Sequence, residues 1–459
     1  MNLSIEQSEV NKMTEDLEKF SALVDLYNDG LADKEMFLSE LSRFENIDWT
    51  KENMFNQLLA YNALGAAYGN LKSKNLDYTK AYYCNEYVYK EISYYHNLHY
   101  VVSRVKKEQW AALYWNAFRL WCRAYLCLAS AYDHMGRFCE AQQYYKLAAM
   151  DEKNTDDAEI NQGYSYANMH AFWTEEEPWI VRKAQQLMKK HAAEFEKNAP
   201  ELMHTVCGWP APSFDVPRAN FTKMKEGDYE CWVNHNFLRI NRFCDVDQVS
   251  KLSVVDNVKL HYIGDTQEKR NLFETYYSEI KNTFIETRRL TYMAIGGSGE
   301  ANVELIKMTY KNFYSILDKI AIFIQAYLNI PVKVHQVDFA SIWNDKKNGD
   351  IRQEFLEHPH NLSLLALYNI KLDVYGTKSF NYVIDEQTKD LQRIRNFLEH
   401  KIVEVRPGQM QYDDYKLTIS KEELVLNTVR LAQLVRCAII YLCNFVMHAE
   451  YDRHLGCFS

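Results

Sequence analysis

The prolines of this chain are unevenly distributed, and their distribution is the feature that most constrains the fold. Only 8 of the 459 residues are proline, and four of these lie in NAPELMHTVCGWPAPSFDVPRANF, residues 198–221. Proline lacks a backbone N–H and clashes with the preceding helical turn, so we expect this segment to lack regular helix. Elsewhere long helices can run uninterrupted, because glycine is also sparse and 47% of the residues are hydrophobic. The sequence therefore predicts an all-α fold in which a connecting segment joins two helical bodies.

The first body, residues 1–197, has the periodicity of consecutive amphipathic helices. In YLCLASAYDHMGRFCEAQQYYKLA, residues 125–148, the small side chains of Ala129 and Ala141 would let two helices approach closely. This spacing resembles a tetratricopeptide repeat, and YNALGAAYG at 61–69 resembles a weaker copy of its first half. A generic helical array is the alternative. The resemblance implies a degenerate tetratricopeptide-like solenoid, whose concave face would bind a protein or peptide partner.

The second body, residues 263–459, follows the Pro-containing connecting or docking segment 198–262. The periodicity predicts helices over 267–293, 300–329, 362–370, 386–404 and 420–449. Ser420 and Glu423 have the spacing of a capping box at the start of the last helix. A Pro-Gly turn within 405–419 would reverse the chain before it. Helices of this length and number predict an up-and-down bundle.

Composition restricts the classes of function. The net charge is -9, so any contact with nucleic acid must be local rather than spread over a basic face. The ten cysteines are scattered, which favours reduced thiols and a cytoplasmic protein. The N-terminal residues are too polar for a signal peptide, and the apolar run CAIIYLCNFVM at 437–447 is short of the ~20 residues that span a bilayer. We therefore expect no membrane association.

A cluster of polar residues in LQRIRNFLEHKIVEV, residues 391–405, is the strongest candidate for a functional site. The expected core-facing stripe of this helix consists of Leu391, Ile394, Leu398 and Ile402. His400 would point away from that stripe, with Arg393 about 20° and Asn396 about 40° from it around the helix. A plain solvated helix face is the alternative. An arginine four to six residues before a histidine, as at Arg395 and His400, also occurs in RQEFLEH at 352–358, but a proline follows that histidine and no asparagine accompanies the arginine.

The segment IRNFLEHK, residues 394–401, resembles the Arg-Asn-x-x-x-His signature of the HEPN family. YSILDKIAIFIQAYL at 314–328 is similar to the long preceding helix of a large HEPN subfamily with tetratricopeptide repeats in front. YECWVNHNFLRINRFCDV at 229–246 resembles the segment before the bundle in that subfamily, although it departs from the pattern at Val233 and at residues 242–244. The three motifs occur in the expected order.

The resemblance implies a metal-independent ribonuclease that needs no cofactor, and the residues suit this chemistry. An imidazole with a pKa near ~6.5 exchanges protons at neutral pH, which makes His400 the candidate acid/base group. The motif assigns the phosphate-binding guanidinium to Arg395, while Asn396 could orient the imidazole or the ribose. Arg393 and Lys401 are candidate contacts to the RNA backbone.

The helical geometry leaves the role of the motif arginine open. Arg395 would point about 140° away from His400 on an ideal helix, whereas Arg393 shares the face of His400. Either Arg393 makes the local phosphate contact, or Arg395 structures the helix through an ion pair with Glu399. HEPN proteins pair two such helices in a dimer, which would let residues of two subunits meet in one cleft.

The resemblance implies an RNA endonuclease that acts as a homodimer, as a toxin or an effector of antiviral defence, with the repeats binding a regulatory partner. A non-catalytic adaptor that binds protein partners is the alternative.

A second set of residues has metal-compatible spacing. His204 and Cys207 precede Cys231 and His235 around the Pro-containing segment, and these four side chains could hold zinc. A buried thiol pair with incidental histidines is the alternative, and we predict no metal.

Overall fold

The computed structural model describes residues 2–75, 86–103, 110–170, 177–210, 228–247, 254–264, 266–297, 299–345, 349–359, 361–375 and 388–455. These residues form seventeen α-helices and one small sheet of three strands, so the predicted all-α fold is confirmed. The helices are α1 (Asn2–Asn28), α2 (Lys34–Glu45), α3 (Met54–Asn75), α4 (Glu86–Ser103), α5 (Trp110–His134), α6 (Phe138–Ala148), α7 (Glu152–His170), α8 (Glu177–Lys190), α9 (Ala192–Asn198), α10 (Pro200–Gly208), α11 (Tyr229–His235), α12 (Gln267–Gly296), α13 (Glu300–Tyr327), α14 (Gln353–Leu356), α15 (Leu362–Tyr375), α16 (Lys389–His400) and α17 (Lys421–Leu455). The strands are β1 (Ile402–Val405), β2 (Gln411–Tyr412) and β3 (Lys416–Ile419).

The chain divides into two compact units. Of the described residues, those within 2–134 and 141–162 belong to the first unit, and those within 135–140, 163–375 and 388–455 belong to the second. The domain limits inferred from the sequence, with boundaries at 197 and 262, stay a prediction.

The expectation that residues 198–221 lack regular helix is wrong for the first part of that segment. α9 ends at Asn198 and α10 follows over Pro200–Gly208. Pro200 occupies the first turn of α10, where its missing N–H would have had no intrahelical partner and its fixed φ suits the helix. A segment rich in proline can therefore still contain a helix, provided that the proline is in the first turn of that helix. Residues 211–227 lie outside the described part of the chain.

The first unit buries the residues that suggested a repeat. Ala129, near the C-terminal end of α5, and Ala141, near the start of α6, are both fully buried. The ring of Tyr144 stacks on the rings of Tyr125 and Tyr132, with centroid distances of 5.3 and 5.5 Å. These contacts agree with close packing around small residues, while the assignment to tetratricopeptide repeats stays a prediction.

The second unit is built on α12, α13 and α17. The hydroxyl of Ser420 accepts a hydrogen bond from the backbone N–H of Glu423 at 3.1 Å, which is one half of the predicted capping box. By length and composition α17 could cross a membrane, but 83% of its most apolar stretch is buried inside the protein. The core helix of a soluble protein has the same properties, so the indication of a membrane span is weak.

The turn predicted between the last two helices contains a small sheet. β3 lies in the centre, parallel to β1 and antiparallel to β2. α16 ends at His400 rather than extending to residue 404, and the chain continues directly into β1. The expectation that Ile402 belongs to the helix core is wrong, because its side chain is 61% exposed on β1. Phe397, only 5% exposed, is buried on α16.

Candidate active site

A buried network of arginines joins the segment 229–246 to the bundle helices. The guanidinium of Arg436 on α17 lies 2.7 Å from the carboxylate of Asp245, and both side chains are inaccessible to solvent. Arg242 donates a hydrogen bond to the side-chain oxygen of Asn444 at 2.7 Å. On α12, the fully buried Arg288 donates to the hydroxyl of Tyr229 at 2.9 Å. This segment is therefore part of the core of the second unit, and its arginines are structural.

The polar face of α16 lies where the helical periodicity predicted it. Leu391 and Ile394 are fully buried, whereas Asn396 and His400 are exposed. Asn396 and His400 are separated by one helical turn, so their side chains share a face. The last helical residue is His400, and the next residue, Lys401, has extended backbone angles. The imidazole therefore stands at the open end of the helix, where a substrate can reach it.

The two arginines of α16 face different neighbours. The guanidinium carbon of Arg395 lies 5.2 Å from the centroid of the Tyr314 ring on α13. Burial raises the pKa of the nearby Asp318 carboxyl, and the charge of Arg395 opposes that shift. The guanidinium of Arg393 instead pairs with Asp390. The half-buried Arg395 is therefore directed towards α13.

Arg393 lies on the opposite side, against the small sheet. Its guanidinium carbon is 4.2 Å from the centroid of the Tyr412 ring, which also contacts the ring of Phe397 edge-on with a centroid distance of 6.4 Å. Arg393 and His400 are seven residues apart, or two helical turns, on this side of α16. A guanidinium and an imidazole thus line one surface next to the β2–β3 turn.

The remaining charged residues of α16 and its end also have defined positions. The ammonium of Lys401 lies over the Phe397 ring, 4.6 Å from its centroid. Lys401 is exposed, so its charge is available to a polyanion. The expected ion pair between Arg395 and Glu399 is not seen in these described residues. The carboxylate of Glu399 instead lies 3.8 Å from the ammonium of Lys311 on α13.

The second Arg-to-His segment has a different environment. His358 is partly buried and packs edge-on against Phe445, with ring centroids 6.1 Å apart. Burial lowers the pKa of its imidazole. The guanidinium of Arg352 donates to the backbone oxygen of Ile342 at 2.8 Å. These contacts give His358 and Arg352 structural roles.

The structure does not gather the candidate zinc ligands. Among the described residues, no three of His204, Cys207, Cys231 and His235 have ligand atoms within 4.8 Å of one another.

A pocket of about 530 Å³ lies at the N-terminal ends of α13 and α17, and His400 does not line it. It is lined by cations and carboxylates in equal number: Lys307, Arg406, Lys421, Glu300, Glu304 and Glu422. The ammonium of Lys421 donates to the backbone oxygen of Gly297 at 2.7 Å, and that of Lys307 donates to Val403 at 3.0 Å. The balance of charge gives this pocket no preference for an anion.

Two tyrosines near His400 were not among the residues singled out in the sequence. Tyr412, the last residue of β2, is 56% exposed, and Tyr415, in the turn before β3, is 78% exposed. The run QYDDYKL, residues 411–417, falls within the Pro-Gly turn that the sequence predicts over 405–419. The signal that could have identified them is the pair of aromatic residues flanking two aspartates directly after a candidate site.

Comparison with known proteins gives one match. Residues 296–450 match the family model described as LA2681-like HEPN. This range contains α13, α15, α16, the sheet and most of α17, and the match supports assignment of this region to the HEPN family. HEPN domains are generally RNA endonucleases that bind RNA and dimerise, so the match suggests a function of that general type. No curated protein and no solved structure matches the chain significantly.

Proposed function

We propose that this chain, whose residues 296–450 match a HEPN family model, is a metal-independent RNA endonuclease that acts as a homodimer. One observation carries the proposal: the matched range contains the Arg395-Asn396-x-x-x-His400 motif, and the structure exposes Asn396 and His400 together at the end of α16. A solvated helix face without function would not be expected to coincide with the family motif.

The proposed reaction is transfer of a phosphodiester to the neighbouring ribose hydroxyl. The 2′-oxygen attacks the adjacent phosphorus, a new P–O2′ bond forms and the P–O5′ bond breaks. A base takes the proton of the 2′-hydroxyl, and an acid gives a proton to the departing 5′-oxygen. The products are a 2′,3′-cyclic phosphate and a 5′-hydroxyl, so no water is consumed in this step.

The residues of α16 supply the groups that this reaction needs. His400 moves the proton, because an imidazole has one nitrogen that can accept a proton and one that can donate it. Arg395 neutralises the charge that develops on the phosphate, and Asn396 orients the imidazole or the ribose. Arg393 and Lys401 bind flanking phosphates on the side of the small sheet.

A dimer would explain how Arg395 and His400 can act on one phosphate although they point in different directions within a subunit. On one helix Arg395 faces α13 and His400 faces outward, so these two groups diverge within a subunit. In a twofold dimer, surfaces of the two subunits that differ in direction can meet at one cleft. We therefore place Arg395 of one subunit beside His400 of the other.

The biological role is proposed from the family resemblance. A cytoplasmic ribonuclease of this kind would act as a toxin or in antiviral defence, and a partner bound by the first unit would control its activity. The acidic chain suits an enzyme that binds RNA only at a local site.

The experiment that tests the function is cleavage of total RNA by the purified protein in the presence of EDTA. We expect cleavage by the wild type and its loss in His400→Ala. His335→Ala is the matched control, since His335 is another exposed histidine of the second unit. Absence of cleavage in every condition, or equal cleavage by His400→Ala, would favour the non-catalytic adaptor.

A further inference from the structure

We infer that Tyr412 and Tyr415 form a platform on which unpaired RNA bases stack next to the phosphate that is cut at His400. This inference rests on the proposed RNA cleavage and specifies its substrate as single-stranded. The platform is defined by these two tyrosines: Tyr412 is the last residue of β2, and Tyr415 lies in the turn directly before β3.

The Tyr412 ring and the backbone of Tyr415 lie beside the end of α16. The backbone N–H of Ile402 donates to the backbone oxygen of Tyr415 at 3.1 Å, so Tyr415 lies across from a residue two positions after His400. The Tyr412 ring contacts Arg393 and Phe397, which precede His400 on the same helix. The tyrosines therefore flank the end of the helix that carries the imidazole.

The turn that carries the platform is held by its own hydrogen bonds. The carboxylate of Asp413 accepts the backbone N–H groups of Tyr415 and Lys416, both at 2.8 Å. These two donors hold the pKa of Asp413 below its usual range. The backbone N–H of Asp413 donates to the oxygen of Lys416 at 3.0 Å. Because the turn is fixed, a base that stacks on Tyr415 would not have to order the loop first.

The exposure of the rings favours single-stranded RNA as the occupant. The side chain of Tyr415 is 78% exposed. Stacking on an aromatic ring stabilises each bound base by about 1–3 kcal/mol, and it requires bases that are not paired inside a duplex. The exposed ammonium of Lys401 can bind a phosphate, and so can the N–H groups of Arg393 that Asp390 does not occupy.

A second copy of the chain is a less suitable occupant for the same surface. Asp413 and Asp414 separate the two rings, and both aspartates are exposed. The buried centre of a stable protein interface is depleted of charged residues. A contact between two copies of the chain would be detected as a change of molecular mass when Tyr415 is replaced.

The experiment measures binding of fluorescent single-stranded RNA by anisotropy, in the His400→Ala background so that the RNA stays intact. Tyr415→Ala should weaken binding about tenfold, whereas Tyr415→Phe should retain most of the affinity because the ring remains. Tyr451→Ala is the matched control, because this 46% exposed tyrosine is thirty residues from the start of α17, about 45 Å along the helix. A duplex of the same sequence should bind more weakly than the single strand.

The same substitutions in the active protein separate the inference from the proposed function. With His400 intact, Tyr415→Ala should raise KM and leave kcat nearly unchanged. If the wild type cuts RNA but Tyr415→Ala binds and cuts equally well, the stacking platform is refuted while the nuclease stands. If the wild type cuts no RNA, the proposed function itself fails. A change of molecular mass in Tyr415→Ala by light scattering would assign the tyrosines to a contact between subunits and overturn the inference.

Discussion

The divergence of Arg395 and His400 on α16 predicts complementation between inactive subunits. The two side chains are about 140° apart around the helix, and Arg395 is directed to Tyr314 on α13. A cleft that contains both groups must then take them from different subunits. A heterodimer of Arg395→Ala and His400→Ala would have one cleft with both native groups and one cleft with neither.

The expected magnitude follows from counting the clefts. Each twofold dimer of the wild type has two clefts, so the purified heterodimer should have about half of the wild-type activity. Each mutant homodimer should lose roughly 10²–10³-fold or more, the usual cost of removing a group that stabilises the transition state. The heterodimer should thus be far more active than either of its parents.

The assay uses co-expressed subunits with different affinity tags, sequential purification and cleavage of a labelled single-stranded RNA. The reciprocal control pairs the wild type with a subunit that carries both substitutions. That heterodimer should be inactive if each cleft needs two subunits, and about half active if each subunit acts alone. An inactive heterodimer of the single mutants, together with a half-active reciprocal control, would refute the shared cleft.

Two further predictions concern the second unit. Gly136→Ala should lower the free energy of unfolding in urea by about 2–5 kcal/mol, because the residue has φ +74° and a Cβ would lie 2.2 Å from the backbone oxygen of Leu362. The control Gly30→Ala has the same φ but nothing within 4 Å of the added Cβ, so it should cost only about 1–2 kcal/mol. Equal losses in the two variants would contradict this explanation. Burial lowers the pKa of His448, so the unfolded chain binds a proton at this residue more readily than the folded chain. Stability should therefore fall as the pH drops below about 6.5, the pKa of histidine in the unfolded chain. The melting temperature should decrease less between pH 7.5 and 5.5 for His448→Gln than for the wild type, and an identical decrease would contradict the assignment.

Much of the helical framework could be predicted from residue spacing. Leu391 and Ile394 were assigned to the buried face of α16, and His400 to its exposed face, because a helix places side chains at fixed angles. The start of α17 was recognised from Ser420, since a capping side chain acts within one turn of the chain. Such local features depend on residues within one or two helical turns, so they can be predicted from the sequence alone.

Features that depend on distant partners could not be predicted in this way. The strand that replaces the end of the predicted helix at Ile402 is paired with β3, whose residues come after an intervening turn. The direction of Arg395 depends on Tyr314 of α13, and that of Glu399 on Lys311 of the same helix. Periodicity gives the face of a helix that a residue occupies, but it does not identify the side chain that meets it there.

The most direct test of the nuclease mechanism is the chemistry of the new RNA ends. A defined single-stranded RNA is incubated with the wild type or His400→Ala in EDTA, and the fragments are weighed by mass spectrometry. The account predicts 2′,3′-cyclic phosphate and 5′-hydroxyl ends that depend on His400, and no cutting where a 2′-deoxynucleotide replaces the nucleotide at the cleavage site. Fragments with 3′-hydroxyl ends, or cyclic phosphate ends produced equally by His400→Ala, would contradict it.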